Sequence, residues 1–179
     1  MRDSRKKQTI FDYEPITIIG KGAFGEVRVC KEKETNEIVA IKKLKKEDMI
    51  KKNQIIHVRT ENLILRSIDS PFIIKLRASF QDQLFLYLVM DFLPGGDFMS
   101  LLIKKDILTE EDSRFYIAEM ILCIEAVHNA GCIHRDLKPD NVLIGKDGHL
   151  KLSDFGLSKM SVSNKLYYFI GRRAISSFY

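Results

Sequence analysis

Across residues 16–44 apolar and polar positions alternate in short runs, Ile16-Thr17-Ile18-Ile19, Val27-Arg28-Val29 and Ile38-Val39-Ala40-Ile41, with turn signals such as Glu34-Thr35-Asn36 between them. A period of two in β-branched residues predicts three consecutive antiparallel strands. The period then lengthens. Val58, Glu61, Leu65 and Ile68 recur at helical spacing, so they share one face of a helix, and a glutamate sits inside an apolar stripe. Residues 72–80 and 84–90 return to strand character and are joined across Gln81-Asp82-Gln83, a short hairpin loop. Residues 91–96 contain Pro94-Gly95-Gly96 and read as an irregular connector.

Thr109-Glu110-Glu111-Asp112 carries a capping-box pattern, followed by Phe115, Ile117, Met120, Ile121, Ile124 and Val127 at helical spacing before Gly131. A long buried helix over 109–129 is expected. Short strands follow at Val142-Leu143-Ile144 and His149-Leu150-Lys151-Leu152, turned by Lys146-Asp147-Gly148. The order predicts an α+β fold: a strand-rich first lobe with one helix, a hinge at 91–96, then a helical lobe.

Composition narrows the function classes. With 179 residues, 45% hydrophobic and 30% charged, the chain has a globular composition on the scale of one domain. Cys30, Cys123 and Cys132 show no C-x-x-C spacing, which indicates neither a disulfide framework nor a zinc site and fits a reducing intracellular setting. The longest apolar run, residues 84–90, is far short of the roughly 18 residues that cross a bilayer, and residues 1–8 lead into no signal-like stretch. No membrane span is expected, and a soluble protein of the cytoplasm and nucleus is. Basic residues are in excess over 1–60 and acidic ones over 61–164. That division argues against nucleic acid as the partner and favours a polyphosphate ligand at one end and a basic peptide at the other. Lys43, Lys45, Lys46, Lys51 and Lys52 also read as an ordinary solvated face.

Gly20-Lys21-Gly22-Ala23-Phe24-Gly25 fits G-x-G-x-x-G, which alone is a weak signal. A dinucleotide site needs a helix opening directly after the glycines. Here Glu26-Val27-Arg28-Val29 continues as a strand, which favours a hairpin lid closing its backbone over nucleotide phosphates; a tight hairpin without ligand is the plain alternative. Val39-Ala40-Ile41-Lys42 then matches V-A-I-K. Lys42 alternates onto the face of Ala40, whose small side chain leaves room for a ring. A carboxylate at Glu61 in an apolar stripe calls for a cation, since an uncompensated buried charge costs about 3–5 kcal/mol. Lys42 is the natural partner, with a neighbouring arginine or solvent as the alternative.

His134-Arg135-Asp136-Leu137-Lys138-Pro139-Asp140-Asn141 and Asp154-Phe155-Gly156 supply what phosphoryl transfer requires. Such a reaction needs a base beside the attacking hydroxyl, cations against the phosphates and rigid positioning. Asp136 would orient or accept the proton, Lys138 would neutralise the terminal phosphate, and Asn141 and Asp154 would hold Mg2+, which prefers hard oxygen ligands. His57, His128 and His149 have no metal-ligand spacing and read as structural or exposed.

These motifs resemble the eukaryotic protein kinases, specifically the serine/threonine kinases of the AGC group. Asp91-Phe92-Leu93-Pro94-Gly95-Gly96-Asp97, Leu108-Thr109-Glu110-Glu111 and Gly148-His149-Leu150-Lys151-Leu152-Ser153-Asp154-Phe155-Gly156 are similar to the NDR/LATS branch. The resemblance runs from about Phe11 to Leu157 and implies a bilobal fold: a complete β-rich first lobe over 11–90, a hinge over 91–96 and a helical second lobe beginning at 97. It implies ATP as co-substrate, with Ile19, Val27, Ala40 and Leu143 against adenine, Met90 as gatekeeper, the backbone of Asp91 to Leu93 on the ring edge and Asp97 at the ribose. Leu65, Leu76, His134 and Phe155 resemble a stacked regulatory spine. Asp97 and Asp140 would favour protein substrates with basic residues near the target hydroxyl, and residues 1–10 resemble the end of a region that binds MOB-like coactivators.

The chain also departs from the family pattern. No proline follows Pro139, so A-P-E is missing, and a second lobe that stops at about residue 157 without its peptide-docking platform is expected. Residues 158–179 read as an atypical tail. Its aromatic stretches at 166–170 and 175–179 read either as a hairpin over exposed core or as the product of an early end to the reading frame. Ser158, Ser161, Ser163, Ser176 and Ser177 are candidate phosphosites near Arg135. The expected function is transfer of the ATP terminal phosphate to serine or threonine hydroxyls. The alternatives are a non-catalytic nucleotide- or partner-binding fragment and, less in keeping with the motifs, a small-molecule kinase.

Overall fold

The computed structural model describes residues 8–22 and 25–160, and the chain divides into two compact units. The first holds the residues up to Ile55 together with Leu76–Phe92; the second holds Ile56–Lys75 and the chain from Leu93 onward.

In the first unit the alternating runs become β1 (Tyr13–Gly22), β2 (Gly25–Glu32), β3 (Ile38–Lys45), β4 (Leu76–Gln81) and β5 (Phe85–Asp91). They form one sheet in the order β1-β2-β3-β5-β4, every neighbouring pair antiparallel. A short helix, α1 (Lys46–Lys51), leaves β3. Because successive side chains point to opposite faces, Tyr13, Cys30, Val39, Ile41, Tyr87 and Val89 collect as a buried core, with Ile10, Ala78, Phe80 and Phe85 packed on it. Phe80 stacks on Tyr87 with ring centroids 5.0 Å apart. The expected hairpin loop is closed by Asp82, whose Oδ1 accepts from the backbone N–H groups of Leu84 at 2.8 Å and Phe85 at 2.7 Å, while its Oδ2 accepts from the Tyr87 hydroxyl at 2.8 Å.

The expected strand over 72–80 is half correct. Only the part from Leu76 joins the sheet, while Ile73 bridges Leu152 in the second unit and Leu152 N–H donates to Phe72 O at 2.8 Å. One apolar run serves two neighbours, and its periodicity does not reveal where it divides.

The second unit contains α2 (Ile55–Ser67), α3 (Phe98–Lys105) and α4 (Glu110–Asn129), with β6 (Cys132–Ile133), β7 (Val142–Ile144), β8 (Leu150–Leu152) and β9 (Lys159–Met160). β7 pairs with β8 and β6 with β9, both antiparallel. Glu61 on α2 is 2% exposed, as its place in the apolar stripe predicted. Thr109 caps α4, accepting from Asp112 N–H at 3.0 Å. The helix is not buried along its length, however. Only Glu119, Cys123 and Val127, one stripe at four-residue spacing, are inside, while Ile117 and Ile121 stay exposed. Among the described residues no helix is long and apolar enough to cross a membrane. Cys30, Cys123 and Cys132 are buried and free, and burial raises all three thiols, Cys123 to about 11. None has the thiolate character that reactivity requires.

The buried Glu119 carboxylate is satisfied by two donors, the Leu150 N–H at 2.8 Å and the His149 ring Nδ1. His149 is therefore structural, in line with the sequence reading. Its pKa lies above the ordinary 6.5, first through the Glu119 hydrogen bond and then through that carboxylate's charge. A raised folded-state value means that the pair's contribution is fully present below about pH 6.5 and fades as pH climbs through the raised value. The melting difference between the wild-type chain and His149→Gln is accordingly expected to be largest at and below pH 6.5 and to shrink toward pH 8; a difference that grows with pH would contradict the pairing.

Candidate functional site

The registers of the first unit gather the expected ligand-facing residues on one face of the sheet. Val27 lies opposite Lys42, Val29 opposite Ala40, Ala40 opposite Met90, and Gly20 opposite Val27. This is the face away from the Val39, Ile41 and Val89 core, so alternation alone separates the two sets. Lys42 is half-buried, and Ala40 and Met90 are buried. Ile19 falls in an irregularity of the β1 register, between Ile18 and Gly20, and is 53% exposed. Lys21 pairs with Glu26 and Gly22 with Gly25; Ala23 and Phe24 lie outside the described residues.

The glycines of that hairpin differ in what requires them. A Cβ on Gly25 would collide with the Lys43 carbonyl of β3, so Gly25 is explained by strand packing. A Cβ on Gly22 would meet nothing within 4 Å, and one on Gly20 would make ordinary contact with Val27 at 3.7 Å. Crowding within the described residues does not explain these two. An approaching ligand would.

In the second unit Asp97 and Leu143 form an isolated antiparallel bridge. Next to it, Gly95 N–H donates to Ile144 O at 3.0 Å, and a Cβ on Gly95 would lie 2.6 Å from that oxygen. The glycine therefore lets the connector lie flat against β7. Asp97 also caps α3, its Oδ1 accepting from Ser100 N–H at 2.7 Å and its Oδ2 from the Ser100 hydroxyl at 2.7 Å. Leu93 lies in the connector before it, half-buried.

The residues after β6 form a tightly bonded loop. Asp136 Oδ2 accepts from Lys138 Nζ at 2.9 Å and from Asn141 Nδ2 at 2.9 Å, and the same Asn141 amide reaches Asp136 O at 2.8 Å. The Lys138 hydrogen bond is the largest influence on Asp136 and, with that of Asn141, holds its carboxyl below the usual carboxylate range. Lys138 is raised in turn by Asp136, and then by Asp140 and Asp154. Because the Asn141 amide hydrogens are committed to Asp136, its Oδ1 is the group left to face an outside ligand.

Asn141 O accepts from Ser153 N–H at 2.8 Å and from the Ser153 hydroxyl at 2.9 Å, which fixes the residue preceding Asp154 against the loop. Asn141 and Asp154 thus offer an amide oxygen and a carboxylate, the hard donors that Mg2+ takes, and on donor chemistry the pair fits that ion. Among the described residues no group of three or more His, Cys, Asp and Glu could hold a metal ion; an Asn–Asp pair completed by phosphate oxygens needs none.

His134 anchors the loop from below. It is 3% exposed, its Nε2–H donates to Ser153 O at 2.9 Å, its Nδ1 accepts from Asp136 N–H at 3.3 Å, and its ring meets Phe155 edge-on at 4.8 Å. Arg135 and Asp154 have positive φ, 68° and 53°, a conformation uncommon for side-chain-bearing residues that clusters at functional sites. Arg135 Nε donates to Leu157 O at 2.6 Å.

Ser153 and Asn62 were missed in the sequence. Ser153 carries the loop's bonds but has no distinctive pattern. Asn62 is buried on α2 with its Nδ2 unsatisfied. Ser158 corrects an expectation: it is 5% exposed and donates to His134 O at 3.1 Å, so it is a structural link rather than an accessible phosphosite. Ser161, Ser163, Ser176, Ser177 and the aromatic stretches lie outside the described residues.

The family model described as protein kinase domain matches residues 13–176. The chain is 55% identical over 158 residues to serine/threonine-protein kinase CBK1 of Pneumocystis carinii, covering 88% of this chain and 31% of that protein. It is 53% identical to CBK1 of Candida albicans, covering 88% and 22%, and 53% identical to serine/threonine-protein kinase cot-1 of Neurospora crassa, covering 88% and 26%. The chain therefore spans about a third or less of the length of these relatives.

Proposed function

Because the chain belongs to the protein kinase domain family, an enzyme family of transferases, and is NDR/LATS-like within the AGC group, we propose that it carries the phosphoryl-transfer machinery of an ATP-dependent serine/threonine protein kinase. The observation that carries the reading is the Asp136 network, in which one carboxylate oxygen receives both Lys138 and Asn141. That arrangement keeps Asp136 ionised and fixed in direction while its other oxygen can receive the proton of a substrate hydroxyl. Lys138, the cation paired with Asp136, would screen the transferring phosphate.

Gly20, Lys21, Gly22, Ala23, Phe24 and Gly25 would cover the phosphates, and Lys42 would bind them, held by Glu61. Ile19, Val27, Ala40, Met90 and Leu143 would enclose adenine, the backbone of Asp91 and Leu93 would bond its edge, and Asp97 would meet the ribose. Asn141 and Asp154 would hold Mg2+, whose charge would draw the phosphate oxygens together. Protein substrates with basic residues near the target hydroxyl fit the acidic balance of residues 61–164, and a MOB-like coactivator would engage the leader. The three buried cysteines fit a reducing cytoplasmic or nuclear setting.

The test is transfer of the terminal phosphate of ATP to a serine peptide flanked by arginines, read by mass spectrometry. Magnesium-dependent incorporation on serine is expected. Binding of nucleotide without transfer would support the alternative of a non-catalytic nucleotide-binding fragment.

A further inference from the structure

Arg77 is absent from the catalytic motifs, yet three features of the first unit converge on it. The β4–β5 register shifts there: Leu76 lies opposite Met90, and Ala78 lies opposite Val89. Residues two apart in a regular strand share a face, but these two pair with adjacent positions of β5 and so face opposite sides. Arg77 is the inserted residue of a β-bulge, a device that re-aims a side chain. Leu76 is thereby set opposite Met90, which on its other side pairs with Ala40, while Ala78 and Phe80 join the core.

The bulged side chain is also tied at both ends of its fork. Arg77 Nε donates to Asp91 Oδ1 at 2.6 Å, and Nη1 donates to Glu37 Oε2. Asp91 is the last residue of β5, opposite Val39, and Glu37 immediately precedes β3. One guanidinium therefore joins the entry to β3, the bulge of β4 and the end of β5. Its side chain is 32% exposed and that of Asp91 25%, so the contact is sheltered more than an open surface pair. Two carboxylates in different directions call for the planar fork of arginine, which the single ammonium of lysine does not reproduce.

We propose that Arg77 is a positioning residue for nucleobase recognition, fixing the end of β5 so that the backbone of Asp91 meets the adenine edge at a set height. The proposal rests on the reading of Asp91 as a base-holding position. A phosphate-holding position such as Lys42 lies mid-strand on β3, away from the clamp, so Arg77 should influence the base and not the phosphates. A general stabilising role would weaken both alike.

The experiment measures binding of magnesium-ATP and of magnesium-tripolyphosphate to the full chain by titration calorimetry, for wild type, Arg77→Gln and Arg77→Lys. Arg77→Gln is expected to weaken ATP about tenfold, equivalent to about 1.4 kcal/mol, and to leave tripolyphosphate unchanged. Arg77→Lys, which keeps the charge without the fork, is expected to weaken ATP by an intermediate factor. It serves as the deciding variant if Arg77→Gln does not melt cooperatively. ATP affinity unchanged in the variants, or equal loss of both ligands, would overturn the role of Arg77. A wild-type chain that binds tripolyphosphate as tightly as ATP would overturn the reading of Asp91, and the positioning role with it.

Discussion

Lys42→Met is expected to reduce phosphoryl transfer by at least about 10²-fold, the usual loss when a preorganised charge is withdrawn from a developing anion. Methionine retains most of the length and apolar contact of the lysine stem, so β3 should keep its register with Leu88 on one side and Val27 on the other. What disappears is a cation on the face that also carries Ala40 and Met90. The expected signature is lost transfer with a folded chain, checked by far-ultraviolet circular dichroism beside the peptide assay. Wild-type-like turnover would remove Lys42 from the site.

Asp136→Asn is expected to lower kcat by about 10²–10⁴-fold, the range associated with a positioned acid or base, while changing nucleotide affinity little. The substitution is nearly isosteric, but it reverses part of the hydrogen-bond logic. In the wild-type chain Lys138 and Asn141 both donate to Oδ2. An asparagine that presents its oxygen to these donors turns its amide group toward the substrate hydroxyl, where a donor cannot accept a proton. Single-turnover kinetics separates this effect from binding. A loss confined to KM would show that Asp136 holds substrate rather than the proton.

The parts of the fold that follow a short repeat were legible in the sequence. Val27, Val29, Ala40 and Lys42 fall on one side and Val39 and Ile41 on the other because a period of two admits no other outcome. Glu61 was legible for the same reason at helical period. Pairings between distant short segments were not: β6 and β9 are two residues each, and no local signal joins Cys132 to Met160. The α3 helix is also short, and the motif assigns Asp97 to the ribose and to basic substrate residues rather than to a cap, although Ser100 three places on gives it a capping partner. The division of 72–80 and the bulge at Arg77 depend on what each residue meets in space.

At the candidate site the chemistry was more legible than the support. Asp136, Lys138, Asn141 and Asp154 carry types and spacing that phosphoryl transfer demands, whereas Ser153 and Ser158 act through a hydroxyl bonded to a backbone oxygen. Serine does that in countless settings. Glu119 was hidden for the opposite reason, because an acidic residue within a helix usually faces water and this one satisfies His149 and Leu150 inside. The hairpin glycines combined both cases: Gly25 is explained by the Lys43 carbonyl, and only Gly20 and Gly22 remain for a ligand to explain.

Whether these residues build a magnesium-nucleotide site is read from the thermal melt of the purified chain with and without magnesium-ATP. A ligand at 100 times its Kd stabilises the folded state by about 2.7 kcal/mol, which for a chain of this size raises Tm by roughly 5–10 °C. A rise of that order is expected in the wild-type chain, and its loss in Lys42→Met. A cooperative melt that magnesium-ATP leaves unmoved would mean that no such site forms.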